Sequence, residues 1–137
     1  ITDKRMTRFN ISMKEAVEMV DWVLRKSVGG EIFVPKLSSF NVIDFAKTLC
    51  PNCKIKKIGI RPGEKIHEEM ITRSDSAYAY DIGKFYLILP SNNKSTFKKF
   101  KKKYPRIKKV EEDFSYNSKN NKNFLSIKNI KKIINEI

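Results

Sequence analysis

Arg61, Glu64 and His67 fall within one short stretch, Gly59-Ile60-Arg61-Pro62-Gly63-Glu64-Lys65-Ile66-His67-Glu68-Glu69, whose chemistry is that of anion binding. Lys54–Ile60 alternates polar and apolar residues, the period of a half-buried strand. Pro62 fixes its own φ and Gly63 accepts a positive one, so the pair predicts a turn. Glu64–Met70 has helix-forming composition. A strand, a turn and a helix in that order would set the Arg61 guanidinium beside the free N–H groups of a helix N-terminus, an arrangement that holds phosphate oxygens. From the residues alone an ordinary connection carrying a solvated arginine is the preferred reading, because such turns are common. His67, the only histidine, either helps to shape such a site or serves as a half-buried structural ring.

Two other groupings could do chemistry. Cys50-Pro51-Asn52-Cys53 is a lone C-x-x-C. A structural zinc would need two further ligands, and a redox pair would need a thiolate-stabilising helix N-terminus. Pro51 instead follows a predicted helix end, so two ordinary reduced thiols are expected and no metal. Lys94–Lys109 carries Lys98, Lys99, Lys101, Lys102, Lys103, Arg106, Lys108 and Lys109, with Phe97, Phe100 and Tyr104 between them. Aromatics among cations could stack on bases, which makes a small nucleic-acid-binding module the rival class. The reading preferred is a solvated amphipathic helix with its aromatics on the core, because Lys and Asn are abundant along the whole chain.

The elements that must position these groups follow from periodicity and caps. Ser12 with Glu15 has capping-box spacing, and predicts a helix over Met13–Lys26. Its apolar face reads Ala16, Val17, Val20, Val23 and Leu24, with Trp22 at an edge. Val28-Gly29-Gly30 stops it, and Glu31–Val34 is a strand ended by Pro35. Lys36–Phe40 reads as a loop leading to Asn41, the N-cap of a helix with Val42, Ile43, Phe45, Ala46 and Leu49 on its apolar side. Ala77–Tyr80 and Lys84–Leu89 suit a hairpin. The Lys-rich stretch is a short helix ending before Pro105, and Ser115–Asn123 reads as irregular. Ser126 caps a terminal helix with Ile127, Ile130, Ile133, Ile134 and Ile137 on one side.

The 137 residues, 40% of them hydrophobic, suffice for one domain with its own core. No apolar run approaches the length needed to cross a membrane, and no secretory signal stands at the start. A cytoplasmic setting is the expectation. The formal net charge of +14 favours anionic ligands. There is no internal repeat.

Three motifs in order carry a family resemblance: Thr2-Asp3-Lys4-Arg5-Met6-Thr7-Arg8-Phe9, Gly29-Gly30-Glu31-Ile32-Phe33-Val34-Pro35-Lys36, and Gly59 to Ile71. Together they resemble the C-terminal portion of nucleotide-sugar 4,6-dehydratases and epimerases of the extended short-chain dehydrogenase/reductase superfamily. The resemblance covers most of residues 1–90, and the tail around 114–134 is similar too. Pro62 and His67 resemble the branch that dehydrates UDP-N-acetylglucosamine with inversion at C5, as in pseudaminic acid synthesis. The alternative the resemblance leaves is a sister enzyme of the same architecture, a UDP-sugar epimerase or a retaining 4,6-dehydratase; related epimerases often carry His and Tyr at those places.

The resemblance implies an α/β fold, the small substrate-binding subdomain of a Rossmann-type enzyme. Residues 1–90 would be the nucleotide-sugar-binding core and 91–137 a Lys-rich extension ending in an amphipathic helix. It implies that Arg61 and Arg8 contact the UDP diphosphate, that Glu64 lies near the ribose hydroxyls, and that His67 helps shape the site. From the residues alone, Arg8 would sooner pair with a carboxylate such as Glu15.

The cofactor implied is NADP or NAD, held by an N-terminal Rossmann half together with the catalytic residues. Ile1 falls in mid-motif, so a fragment lacking that half and inactive alone is expected, with a homo-oligomer when full length. The Gly-rich turn of a dinucleotide site is not in this sequence. Tyr80-Asp81-Ile82-Gly83-Lys84 satisfies the Tyr-x-x-x-Lys string of the superfamily, but in a predicted hairpin instead of a long helix, and is read as coincidence.

Overall fold

Ser12 opens the first helix as its spacing requires. Its hydroxyl accepts the Glu15 N–H at 3.2 Å, while the Glu15 carboxylate takes the Ser12 N–H at 2.8 Å. The computed structural model describes residues 1–135, so Ile137 lies outside the described residues. The elements in order are β1 (Thr7–Asn10), α1 (Met13–Lys26), β2 (Ile32–Pro35), β3 (Ser38–Asn41), α2 (Val42–Leu49), β4 (Glu69–Ile71), a 3-10 turn (Asp75–Tyr78), β5 (Ala79–Asp81), β6 (Phe85–Ile88), α3 (Lys94–Lys103), β7 (Lys108–Lys109), β8 (Tyr116–Asn117) and α4 (Ile127–Asn135). They form two compact units: Ile1–Asn10, Leu37–Glu68 and the chain from Asn117 on make the first, Ile11–Lys36 and Glu69–Tyr116 the second.

In the second unit a four-stranded antiparallel sheet runs β2-β6-β5-β7. Phe33 faces Leu87 and Tyr80 faces Leu87 from the other side, so β6 is the central strand. Phe85 and Leu87 are buried while Tyr86 and Ile88 are only partly so, the period-two pattern of a sheet covered on one face. Phe33, Tyr80, Phe85, Leu87, Leu89, Phe100 and Ile107 form the core. Asn93 caps α3 by accepting the Thr96 N–H at 2.8 Å. Phe97 and Phe100 of α3 turn onto the core, and Tyr104 follows. The aromatics of the basic stretch are therefore used in packing, as the amphipathic-helix reading required.

The face that α1 applies to this core differs from the one its apolar stripe predicts. Trp22 stacks on Phe85 at 4.7 Å and meets Phe33 edge-on at 5.6 Å, with Met19 and Val23 beside it. Val17, Val20 and Leu24 stay exposed, Leu24 to 76%. The helix has two apolar stripes, and the larger aromatic surface is the one the sheet takes up.

The first unit contains β1 paired antiparallel with β3, Thr7 opposite Asn41 and Arg8 opposite Phe40. Lys36–Phe40 is thus partly strand instead of loop. Its polar composition hid the pairing, because Ser39 is fully buried through backbone bonds to Asn123 and Leu125. Asn41 caps α2 by accepting the Ile43 N–H at 2.8 Å, and α2 packs with α4. Ser126 accepts the Asn129 N–H at 3.3 Å at the head of α4, whose Ile130 is buried.

Two further expectations are corrected here. Lys54–Ile60 is not a strand: its backbone bonds are single ones, Ile58 N–H to the Ile1 carbonyl and the Ile1 amino group to the Lys56 carbonyl. Alternation alone cannot make a strand without a partner to complete the ladder. Cys50 and Cys53 are joined as a disulfide instead of standing as two thiols. Cys50 ends α2, and the Cys53 N–H returns to the Cys50 carbonyl, so the turn sets the two Cα atoms 5.4 Å apart. Among the described residues no cluster of His, Cys, Asp or Glu suits a metal ion, and no helix is long and apolar enough to cross a membrane.

Candidate functional site

Arg61 and Glu64 do not flank a helix start. Residues 61–68 are turns and bends, followed by β4. Helix composition is overridden because the stretch bonds sideways: the Thr7 N–H donates to the Ile66 carbonyl at 3.1 Å. The phosphate-binding geometry expected from a helix N-terminus is therefore absent, which leaves side chains as the groups here that could meet an anion.

The turn itself is closed by its own residues. The Glu64 N–H donates to the Arg61 carbonyl at 3.0 Å. Glu64 Oε2 accepts the Arg61 N–H at 3.1 Å, and Oε1 accepts the Thr2 hydroxyl at 2.9 Å. Gly63 adopts a φ of 78°, which a Cβ would strain. The Arg61 N–H bond, then the Thr2 hydroxyl, then the Arg61 and Arg8 charges hold the Glu64 carboxyl below the usual range. Both arginines thus act on this one carboxylate. The exposed Arg61 guanidinium has no hydrogen bond or ion pair among the described residues. Glu64 keeps one further lone pair on each oxygen for a ligand hydroxyl.

Arg8 is more committed. Its Nη1 donates to the carbonyls of Thr7 at 2.8 Å and Ile66 at 3.1 Å, and Nε lies 3.7 Å from Glu68 Oε1. The carboxylate beside Arg8 is thus Glu68; Glu15 is used in the α1 capping box. Glu68 Oε2 also accepts the Phe9 N–H at 2.7 Å. The side chain of Arg8 remains one-quarter exposed.

His67 approaches the same strand. Its Nδ1 is 2.8 Å from Thr7 Oγ1, which is 2.7 Å from Ser118 Oγ. Burial, then the charges of Lys119, Arg5 and Arg8, push the imidazole pKa below its ordinary value. Asp3 anchors the preceding segment: its buried carboxylate binds Arg5 Nε and Nη2, each at 3.0 Å, accepts the Arg5 N–H, and lies 3.7 Å from Lys57 Nζ. The Arg5 bonds hold it well below the carboxylate range.

One unit therefore brings together Arg8, Arg61, Glu64 and His67. Thr2, Thr7, Glu68 and Ser118 escaped sequence reading. Thr7 and Ser118 are 111 positions apart, and only the buried hydroxyl pair reveals them.

The residues present do not fit a dinucleotide. The glycines with positive φ are at 29, 30, 59, 63 and 83, whereas the helices open after Ser12, Asn41, Asn93 and Ser126 among the described residues. Tyr80 lies on β5 with its hydroxyl 3.3 Å from Asn92, and Lys84 follows Gly83 in the hairpin turn, so the two do not share a helix face.

The profile of a family described as polysaccharide biosynthesis proteins matches residues 1–90. The chain is 42% identical, over 98% of its length, to a UDP-N-acetylglucosamine 4,6-dehydratase (inverting) of Campylobacter jejuni, and covers 41% of that protein. It is 30% identical over 98% of its length to a UDP-glucose 4-epimerase of Rickettsia akari, covering 40% of it. The crystal structure of Pen from Bacillus thuringiensis superposes with a TM-score of 0.78 at 25% identity, over 99% of this chain and 40% of that one. This chain thus spans about two-fifths of the length of these relatives, and the mixed α/β architecture read from its motifs is theirs. The chain belongs to the polysaccharide biosynthesis protein family.

Proposed function

We propose that this chain is the C-terminal, substrate-binding part of a UDP-N-acetylglucosamine 4,6-dehydratase (inverting), a hydro-lyase that forms a UDP-4-keto-6-deoxy sugar for surface-glycan or pseudaminic acid synthesis. The observation that carries the proposal is the 42% identity to such an enzyme over 98% of the chain. Arg61, unpaired on a closed turn, supplies a fork for bidentate bonds to the diphosphate. Arg8 adds a second positive charge, Glu64 reaches the ribose hydroxyls, and His67 shapes the wall. Residues 1–90 are the binding core, and 91–137 extend it.

The dehydration oxidises C4, removes water across C5 and C6, and reduces C6; NADP or NAD supplies the hydride acceptor when bound. No residue described here fits that group, so the cofactor and the catalytic acid and base belong to a Rossmann part of the enzyme. This chain contributes binding energy remote from the reacting carbons. By itself it is inactive. The full enzyme works in the cytoplasm as a homo-oligomer.

The test is a calorimetric titration of the chain with UDP-N-acetylglucosamine and, separately, with inorganic diphosphate. Saturable binding of the UDP-sugar, tighter than that of diphosphate, is the expected result. Equal, salt-sensitive binding of both would instead indicate a general polyanion surface.

A further inference from the structure

No acidic residue falls between Asp81 and Glu111, a span that holds ten lysines and arginines. A general abundance of lysine explains the cations there but not the missing carboxylates, since the chain has 15 Asp and Glu in all. The charge is densest on α3, where Lys94, Lys98, Lys99, Lys101, Lys102 and Lys103 are all exposed. None of the six has an ion pair among the described residues. Lys99 Nζ donates to the Val28 carbonyl at 3.4 Å, and Lys101 Nζ stands 5.9 Å from the centre of the Phe97 ring. Lys94, Lys98 and Lys102 have no contact of either kind and follow one another along one stripe.

Those three lysines stand one turn apart, as do Lys99 and Lys103, so like charges repel along the helix. An anionic surface laid against α3 relieves that repulsion. The ten residues span about 15 Å, against a screening length of about 10 Å at 0.1 M salt. The charges therefore act on a facing surface together.

The chemistry of the partner follows from what this face lacks. Stacking on bases needs free aromatic rings, and Phe97, Phe100 and Tyr104 are turned onto the core. Reading base edges relies on Arg, Asn or Gln, and α3 has none. A bilayer of acidic phospholipids asks only for positive charge. Its headgroups are mobile and gather beneath lysines in any arrangement. With its phenylalanines turned inward, α3 has no apolar side chain to insert, so it rests on the headgroups.

We propose that α3 is an electrostatic docking face for a membrane surface rich in acidic phospholipids, with the Lys94, Lys98 and Lys102 stripe at its centre.

The test mixes the whole chain with vesicles of equal parts phosphatidylglycerol and phosphatidylcholine, or of phosphatidylcholine alone, and measures co-sedimentation at low and at high salt. Binding should require phosphatidylglycerol and be lost at high salt. Lys94→Gln, Lys98→Gln and Lys102→Gln together should weaken it by about a hundredfold, each lysine at an anionic surface counting for roughly fivefold. Lys94→Arg, Lys98→Arg and Lys102→Arg together should retain it. Removing the three charges relieves repulsion within α3, so weaker binding does not report a lost helix. Lys122→Gln, Lys128→Gln and Lys131→Gln remove the same charge from exposed positions outside α3, and should weaken binding by no more than about threefold.

No binding to the acidic vesicles at low salt would overturn the proposal. Equal losses in the two Gln triples would also overturn it, because net charge would then suffice. Binding to duplex DNA that exceeds vesicle binding at the same phosphate concentration, and falls with the α3 triple, would overturn it in favour of nucleic acid.

Discussion

Glu64 holds the backbone of Arg61: its Oε2 accepts the Arg61 N–H at 3.1 Å while its Oε1 is tied to the Thr2 hydroxyl at 2.9 Å. The carboxylate therefore sets the turn from which the arginine projects. Glu64→Ala should weaken UDP binding about three- to tenfold by loosening that turn, a cost on the scale of one or two hydrogen bonds. Glu64→Gln, which keeps one acceptor oxygen, should lose less. Calorimetry of both variants decides; full wild-type affinity in Glu64→Ala would show that the turn needs no such brace.

Trp22 gives a second test, of packing. It stacks on Phe85 at 4.7 Å, whereas Leu24, on the same helix, is 76% exposed. Trp22→Ala should destabilise the chain by about 3 kcal/mol, and Leu24→Ser by no more than about 0.5 kcal/mol. Urea unfolding of the two variants measures both. Equal losses would mean that α1 presents its other stripe to the sheet.

His67 predicts a pH dependence with a definite sign. Its pKa in the fold lies below the ordinary 6.5, chiefly through burial. The unfolded chain therefore takes up the proton first as pH falls. The contribution is fully present above pH 6.5 and is lost as pH drops toward the folded value. Stability measured against His67→Gln should show the wild type losing ground as pH falls below 6.5. A difference that stays constant would place the imidazole in water. Asp3 and Glu64, whose pKa values are also lowered, add an acid loss in both proteins, which cancels in the comparison.

The disulfide spans only Pro51 and Asn52, so it removes little freedom from the unfolded chain. By loop-closure entropy its reduction should cost no more than about 2 kcal/mol. Thiol titration in denaturant should find no free thiol before reduction and two after it. Two thiols in the untreated chain would restore the reading drawn from the sequence.

Local signals were legible and long-range ones were not. Ser12 with Glu15, Asn41, and Ser126 each begin a helix where their spacing says, because a cap is decided within four residues. The hairpin of β5 and β6 was equally local. Lys54–Ile60 alternates like a strand but has no ladder, and Glu64–Met70 has helix composition but is drawn sideways by β1. Polar Ser38–Asn41 joins a strand pair, and Ser118 is buried within a stretch read as irregular. In each of these the deciding partner lies tens of residues away. The candidate residues Arg8, Arg61, Glu64 and His67 were named by motif, while the bonds that orient them were visible only in the fold.

The most direct measurement of the central claim is calorimetric titration with UDP of the wild-type chain, Arg61→Ala and Arg61→Lys. The account predicts saturable binding, weakened at least about tenfold in Arg61→Ala, with Arg61→Lys between the two because a point charge replaces the bidentate fork. Arg61→Ala binding UDP as tightly as the wild type would contradict it.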